Sequence, residues 1–117
     1  MTYEDTARGL FHKDGANCSQ AVAAAFADRI GMSAEEAMKT TPVPRSIDGK
    51  CGAVLASEMI LDKLSIDKKE EFEEEFRKLN KYIECKPLVA QKKEMGKTCH
   101  DFVGDAARIL EGLLEAK

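Results

Sequence analysis

Four cysteines, Cys18, Cys51, Cys85 and Cys99, are the residues of this 117-residue chain whose chemistry is most specific. A thiol does chemistry as its thiolate, either as a nucleophile toward disulfides and peroxides or as a soft metal ligand. Their long separations contain no Cys-x-x-Cys, so neither a thioredoxin-like site nor a zinc ribbon is supported. The Cys99-His100 pair matches the end of a c-type haem signature, but Gly96 stands where that signature needs a cysteine.

Three of the four fall at predicted helix starts. Cys18 follows Asn17, Cys51 follows Gly49-Lys50, and Cys99 follows Thr98. Unpaired amides and the positive end of the helix dipole stabilise a thiolate there and lower its pKa from about 8.5. Each of the three also begins an apolar stripe, with Val22 and Phe26, Leu55 and Met59, and Val103, Ala106 and Leu110 respectively, so their thiols should point inward. Helices entering a bundle from the same end would bring these thiols to one site. Cys85 is expected at the C-terminal end of its helix, where the dipole opposes a thiolate, joining from the opposite chain direction.

Four buried, inert thiols are the alternative, because cysteine also packs as a small hydrophobe. His12 and His100, the two histidines, are expected at the surface; His100 could act as an electrostatic neighbour of Cys99. Asp48 and Asp101 could join a polar shell, though a loop and a helix start explain them equally.

The elements that must position these residues are helical. Ala, Leu, Glu and Lys fill the long segments, and alternating runs of β-branched and aromatic residues are missing. The pattern predicts an all-α bundle of five to six helices. The first runs over Tyr3–Lys13, stopped by Asp14-Gly15; the second runs from the Asn17 cap to Ile30, stopped by Gly31. Ser33 with Glu36 forms a capping-box pattern for a short third helix ending near Thr41, beyond which Pro42 and Pro44 forbid continuation. A loop over Thr41–Lys50 leads into a central helix over Cys51–Leu64, apolar around most of its circumference. A charged helix over Asp67–Ile83 turns Phe72, Phe76, Leu79 and Ile83 inward, and its acidic run is a solvated face. Leu88–Met95 forms a short turn of helix, and Thr98 caps the last helix.

Size and composition agree with one domain spanning residues 1–117 that folds alone or as a small oligomer. Hydrophobic residues make up 44%, enough to offset chain entropy. The 18 basic and 21 acidic side chains are interspersed and leave a formal charge of -3, which suggests no nucleic-acid partner. No stretch approaches the roughly 20 apolar residues of a membrane span, and Glu4 and Asp5 do not suit a signal peptide. A cytoplasmic location is expected, where thiols are kept reduced rather than paired as structural disulfides.

Residues 15 to 22, Gly-Ala-Asn-Cys-Ser-Gln-Ala-Val, and Cys51-Gly52-Ala53-Val54-Leu55-Ala56, with Cys85 before Leu88 and Cys99 before Val103, together resemble the C_GCAxxG_C_C family. That family is classed as redox-active on the strength of its cysteines. The resemblance covers nearly the whole chain. Ala56 stands where a glycine is usual, and Pro-Val-Pro-Arg-Ser-Ile-Asp precedes Cys51 where relatives tend to be glycine-rich.

The resemblance implies a helical protein with thiol–disulfide chemistry. Cys51 or Cys18 would then be the attacking thiolate, with Cys51 favoured, and a neighbouring cysteine, Cys99 and Cys85 included, would resolve the intermediate. A redox partner protein or a small-molecule thiol would exchange electrons with it. Two other readings stand beside this one: Cys18, Cys51, Cys85 and Cys99 jointly binding zinc or an iron-sulfur cluster, and a helical interaction module with buried inert cysteines.

Overall fold

A computed structural model describes residues 3–11, 16–91 and 96–115. Among them are seven α-helices, one short 3-10 helix and no strand. The all-α expectation therefore holds, with more helices than the five or six anticipated.

The helices are α1 (Tyr3–Leu10), α2 (Cys18–Ala25), α3 (Ala34–Thr40), α4 (Gly52–Lys63), α5 (Lys69–Asn80), α6 (Cys85–Ala90) and α7 (Cys99–Glu115). Local chemistry accounts for most of their ends. The Asn17 side chain accepts from the Gln20 amide while the Gln20 side chain accepts from the Asn17 amide, a reciprocal cap that starts α2 one residue later. Ser33 caps α3 through the Glu36 amide, and Thr98 and Asp101 cap α7 reciprocally. After α2 the chain tightens into the 3-10 helix Ala27–Ile30 and stops at Gly31, whose φ of 68° costs a glycine little. The predicted stop at Asp14-Gly15 and the last residues of the predicted Leu88–Met95 turn lie outside the described residues.

The fifth helix departs from its predicted span. It ends at Asn80 rather than Ile83, because Lys81 takes a positive φ of 72° and turns the chain back. The next residues then run beside the segment that enters α4. The Cys51 amide donates to the Ile83 carbonyl at 2.8 Å and the Cys85 amide donates to the Gly49 carbonyl at 2.9 Å. These two bonds flank an isolated antiparallel bridge between Lys50 and Glu84. Cys85 consequently begins α6 instead of ending α5, and Pro87 sits in the first turn of α6, where a missing N–H is tolerated.

One apolar cluster joins the helices. Phe26, Phe72, Phe76 and Phe102 are fully buried within it, and α4 packs against α2, α5 and α7. Burial of both faces of α4 explains its nearly continuous apolar sequence, from Ala53 through Leu61. The outcome is that the start of α4 lies beside the start of α2, deep enough for Cys51 to be only 6% exposed.

A thiol pair at the junction of two helix starts

Cys18 is the first residue of α2 and Cys51 caps the N-terminus of α4. Their sulfurs meet: the Cys51 thiol serves as hydrogen-bond donor to the Cys18 sulfur. The close approach depends on Gly52. A Cβ at that position would lie 2.5 Å from Cys18 Sγ, 2.8 Å from Pro44 Cγ and 3.0 Å from the Ser19 amide nitrogen, the first two closer than Cβ atoms come to any neighbour. Glycine at 52 therefore lets Cys18 Sγ rest on the first turn of α4, with Pro44 of the preceding loop packed against the same glycine.

This geometry separates the two thiols in acidity. Donation from Cys51 lowers the Cys18 pKa most; burial opposes, and the amides of Gly52, Ala53 and Ser19 lower it further, to about 7. Cys18 thus stands under the amides of two helix starts, its own and that of α4. Near pH 7 about half of it is thiolate, against a few per cent for an ordinary thiol. Cys51 shifts the other way. Its bond to Cys18, its burial and the adjacent Cys18 charge push it well above the ordinary thiol value, more than the amides of Ala53 and Val54 offset. The sequence favoured Cys51 as nucleophile, with both Cys18 and Cys51 at helix starts; here Cys18 is the thiol that is lowered, because it accepts from Cys51 and receives the amides of α4, while the more deeply buried Cys51 is raised.

Cys85 is brought to the same end of α4 by backbone pairing, across the Lys50–Glu84 bridge from Cys51. Cys99 begins α7 as predicted and is partly buried against the core. Its helical neighbours face α1: Arg8 donates to the His100 carbonyl and to Asp101, and the His100 ring nitrogen Nε2 lies 3.0 Å from the Arg8 carbonyl. His100 and Asp101 are thus engaged in joining α1 to α7. His12 lies outside the described residues, and Asp48 is a loop residue with φ of 53°. No disulfide joins the four cysteines. Among the described residues, no three His, Cys, Asp or Glu side chains gather closely enough to hold a metal ion, so the four-thiolate ligand set expected for zinc or an iron-sulfur cluster is not assembled there. No helix among the described residues is long and apolar enough to cross a membrane.

A second polar cluster escaped the sequence reading. Lys50 Nζ reaches Glu58 of α4 at 3.3 Å and Glu73 of α5 at 2.7 Å, with all three side chains largely buried. Burial, then the hydrogen bond and charge of Glu73, raise the Glu58 carboxyl to about 7 despite Lys50. Glu73 is lowered, first by the hydrogen bond from Glu58. The available signal was Glu58 itself, the one charged residue within the mostly apolar run Ala53–Leu61. Gly52 was read as part of a motif, without its steric role.

Neither curated proteins nor solved structures yield a match. Residues 16–113 match a family described as "Putative redox-active protein (C_GCAxxG_C_C)". This span holds all four cysteines and every helix from α2 to α6 with most of α7, and the chain accordingly belongs to the C_GCAxxG_C_C family.

Proposed function

We propose that this protein carries out thiol–disulfide exchange, with Cys18 as the attacking thiolate and Cys51 as the resolving thiol. The observation that supports it is the asymmetry of the pair: a Cys18 sulfur that accepts from Cys51 and lies on helix amides, both of which lower its pKa, beside a more deeply buried Cys51 whose pKa is raised. In the first step the Cys18 thiolate attacks one sulfur of a substrate disulfide, and the other sulfur departs as a thiolate. In the second step Cys51 loses its proton to that released thiolate or to water and attacks Cys18 Sγ. The second substrate thiolate leaves and takes up a proton from solvent, the substrate disulfide has become two thiols, and Cys18 and Cys51 share a disulfide. Once Cys18 is in a mixed disulfide its charge is gone, so one of the causes that hold Cys51 protonated is removed.

A small-molecule thiol or a redox partner protein would return the pair to the dithiol form. A reducing compartment such as the cytoplasm suits a resting state with both thiols free.

Oxidised glutathione tests this reading. Wild-type protein should lose two thiols and yield a Cys18–Cys51 disulfide on peptide mapping. Cys51→Ser should accumulate glutathione on Cys18, and Cys18→Ser should do neither at a comparable rate. Equal reaction of Cys18→Ser and wild type would overturn the assignment.

A further inference from the structure

A groove of about 570 Å³ opens between the 41–50 loop, α4 and α5. Its volume lies in the range of small-molecule sites. Pro42, Ile47, Leu55 and Met59 supply apolar lining, and Lys50, Glu58 and Glu73 converge on it. We propose that this groove binds a small organic cation, an ammonium or amidinium on an apolar body, with the cationic head against Glu58 and Glu73.

The charge arrangement selects the sign of the ligand. Two carboxyls face one ammonium, that of Lys50, so full ionisation leaves one negative charge in excess within a largely buried site. Burial and the neighbouring Glu73 raise the Glu58 carboxyl to about 7, so a proton on Glu58 offsets that excess below neutral pH. An entering cation replaces this proton: the Glu58 proton leaves to solvent, and the carboxylate pairs with the ligand. The other charges around the groove balance in number. Lys69 pairs with Asp62 at 3.1 Å, and Lys63 and Glu70 complete the lining with one charge of each sign. Arg77 approaches Glu73 only to 3.9 Å and is half exposed, so solvent screens it. An anionic ligand would have to meet Glu58 and Glu73 with Lys50 already engaged by both. The apolar lining favours a ligand with an aryl or alkyl body over a bare metal cation or a polyamine.

The test uses phenethylammonium on the full reduced chain, with 2-phenylethanol and 3-phenylpropionate as neutral and anionic counterparts. By calorimetry the amine should bind about tenfold more tightly at pH 8 than at pH 6, releasing a proton at the lower pH, because Glu58 ionises between them. It should bind more tightly than either counterpart and shift the Met59 methyl resonance in wild-type protein. Glu58→Gln, whose fold is checked by its melting transition, should weaken binding and abolish the pH dependence. Should that variant fail to fold, the wild-type pH series and the Met59 shift decide alone. Absence of amine binding, equal affinity at both pH values, tighter binding of the propionate, or binding without a Met59 shift would each overturn the proposal. None of these readouts involves the thiols.

Discussion

Gly52 gives Cys18 its contact with the first turn of α4. The hydrogen bond from Cys51 lowers that thiol most; the amides of Gly52 and Ala53 lower it further, and the missing Cβ lets sulfur reach them. Gly52→Ala places a methyl group against Cys18 Sγ, Pro44 and the Ser19 backbone at once, and the backbone atom cannot swing aside as a side chain does. The substitution should cost roughly 1–3 kcal/mol of stability through overpacking. It should also move Cys18 off the α4 amides. Rates of iodoacetamide labelling across a pH series should then show the Cys18 midpoint rising from about 7 toward the ordinary thiol range, while urea denaturation reads the stability loss. A midpoint unchanged in a folded Gly52→Ala protein would mean that the α4 amides are not what acidifies Cys18.

The elements show why Cys85 lies where it does. Helix α5 stops because Lys81 adopts a positive φ, and the reversal that follows lets residues 83–85 pair with residues 49–51. A β-carbon in that conformation costs about 1–2 kcal/mol, and the exposed Lys81 side chain offers no buried contact in return. Lys81→Gly should therefore stabilise the protein by up to about 1 kcal/mol, the greater entropy of glycine in the unfolded chain taking back the rest. A rise in the urea midpoint with unchanged slope would register this, and a fall would mean that the turn is not strained. The same connection shows how element boundaries decide function. A helix carried on to Ile83 would have set Cys85 at a C-terminus; the turn at Lys81 sets it at the start of α6, joined by its backbone to the strand-like entry to Cys51.

At the scale of the whole molecule, the thiol pair couples stability to pH. The folded Cys18 pKa of about 7 lies below the unfolded value near 8.5, so the unfolded chain binds more protons between these pH values and stability rises with pH across them. As pH falls through 7 this contribution disappears. Its size is roughly 2 kcal/mol from the difference in pKa. Cys51 acts in the opposite sense, since its folded pKa is raised, and it removes stability once the pH exceeds the ordinary thiol range. Reduced wild-type protein should accordingly gain stability toward Cys18→Ser between pH 7 and about 8.5, a difference read from paired urea titrations. A constant difference over that interval would show that the Cys18 thiolate is not favoured by the fold. The groove between α4 and α5 adds a second titration through Glu58 of the same central helix.

Much of this was legible in the residues alone, for a physical reason. Caps and stops act within four residues of themselves, so the Asn17 and Thr98 caps, Ser33 with Glu36, and the stop at Gly31 could be read directly, and with them an all-α chain whose Cys18, Cys51 and Cys99 lie at helix starts, whereas the Gln20 and Asp101 partners of the caps were seen only in the structure. The cysteine pattern likewise carried the family resemblance. The relations between thiols could not be read in this way, because they arise between segments distant in sequence. Cys18 is acidified mainly by Cys51 and the first turn of α4, whereas its own helix alone would have made it no different from Cys51 or Cys99. Cys85 changed ends through a backbone pairing with residues 49–51, and Glu58 acquired its proton from burial beside Glu73 of another helix. Local hydrogen bonding decides which helices form; desolvation and charge, summed over whatever the packed chain brings together, decide which of their side chains become reactive.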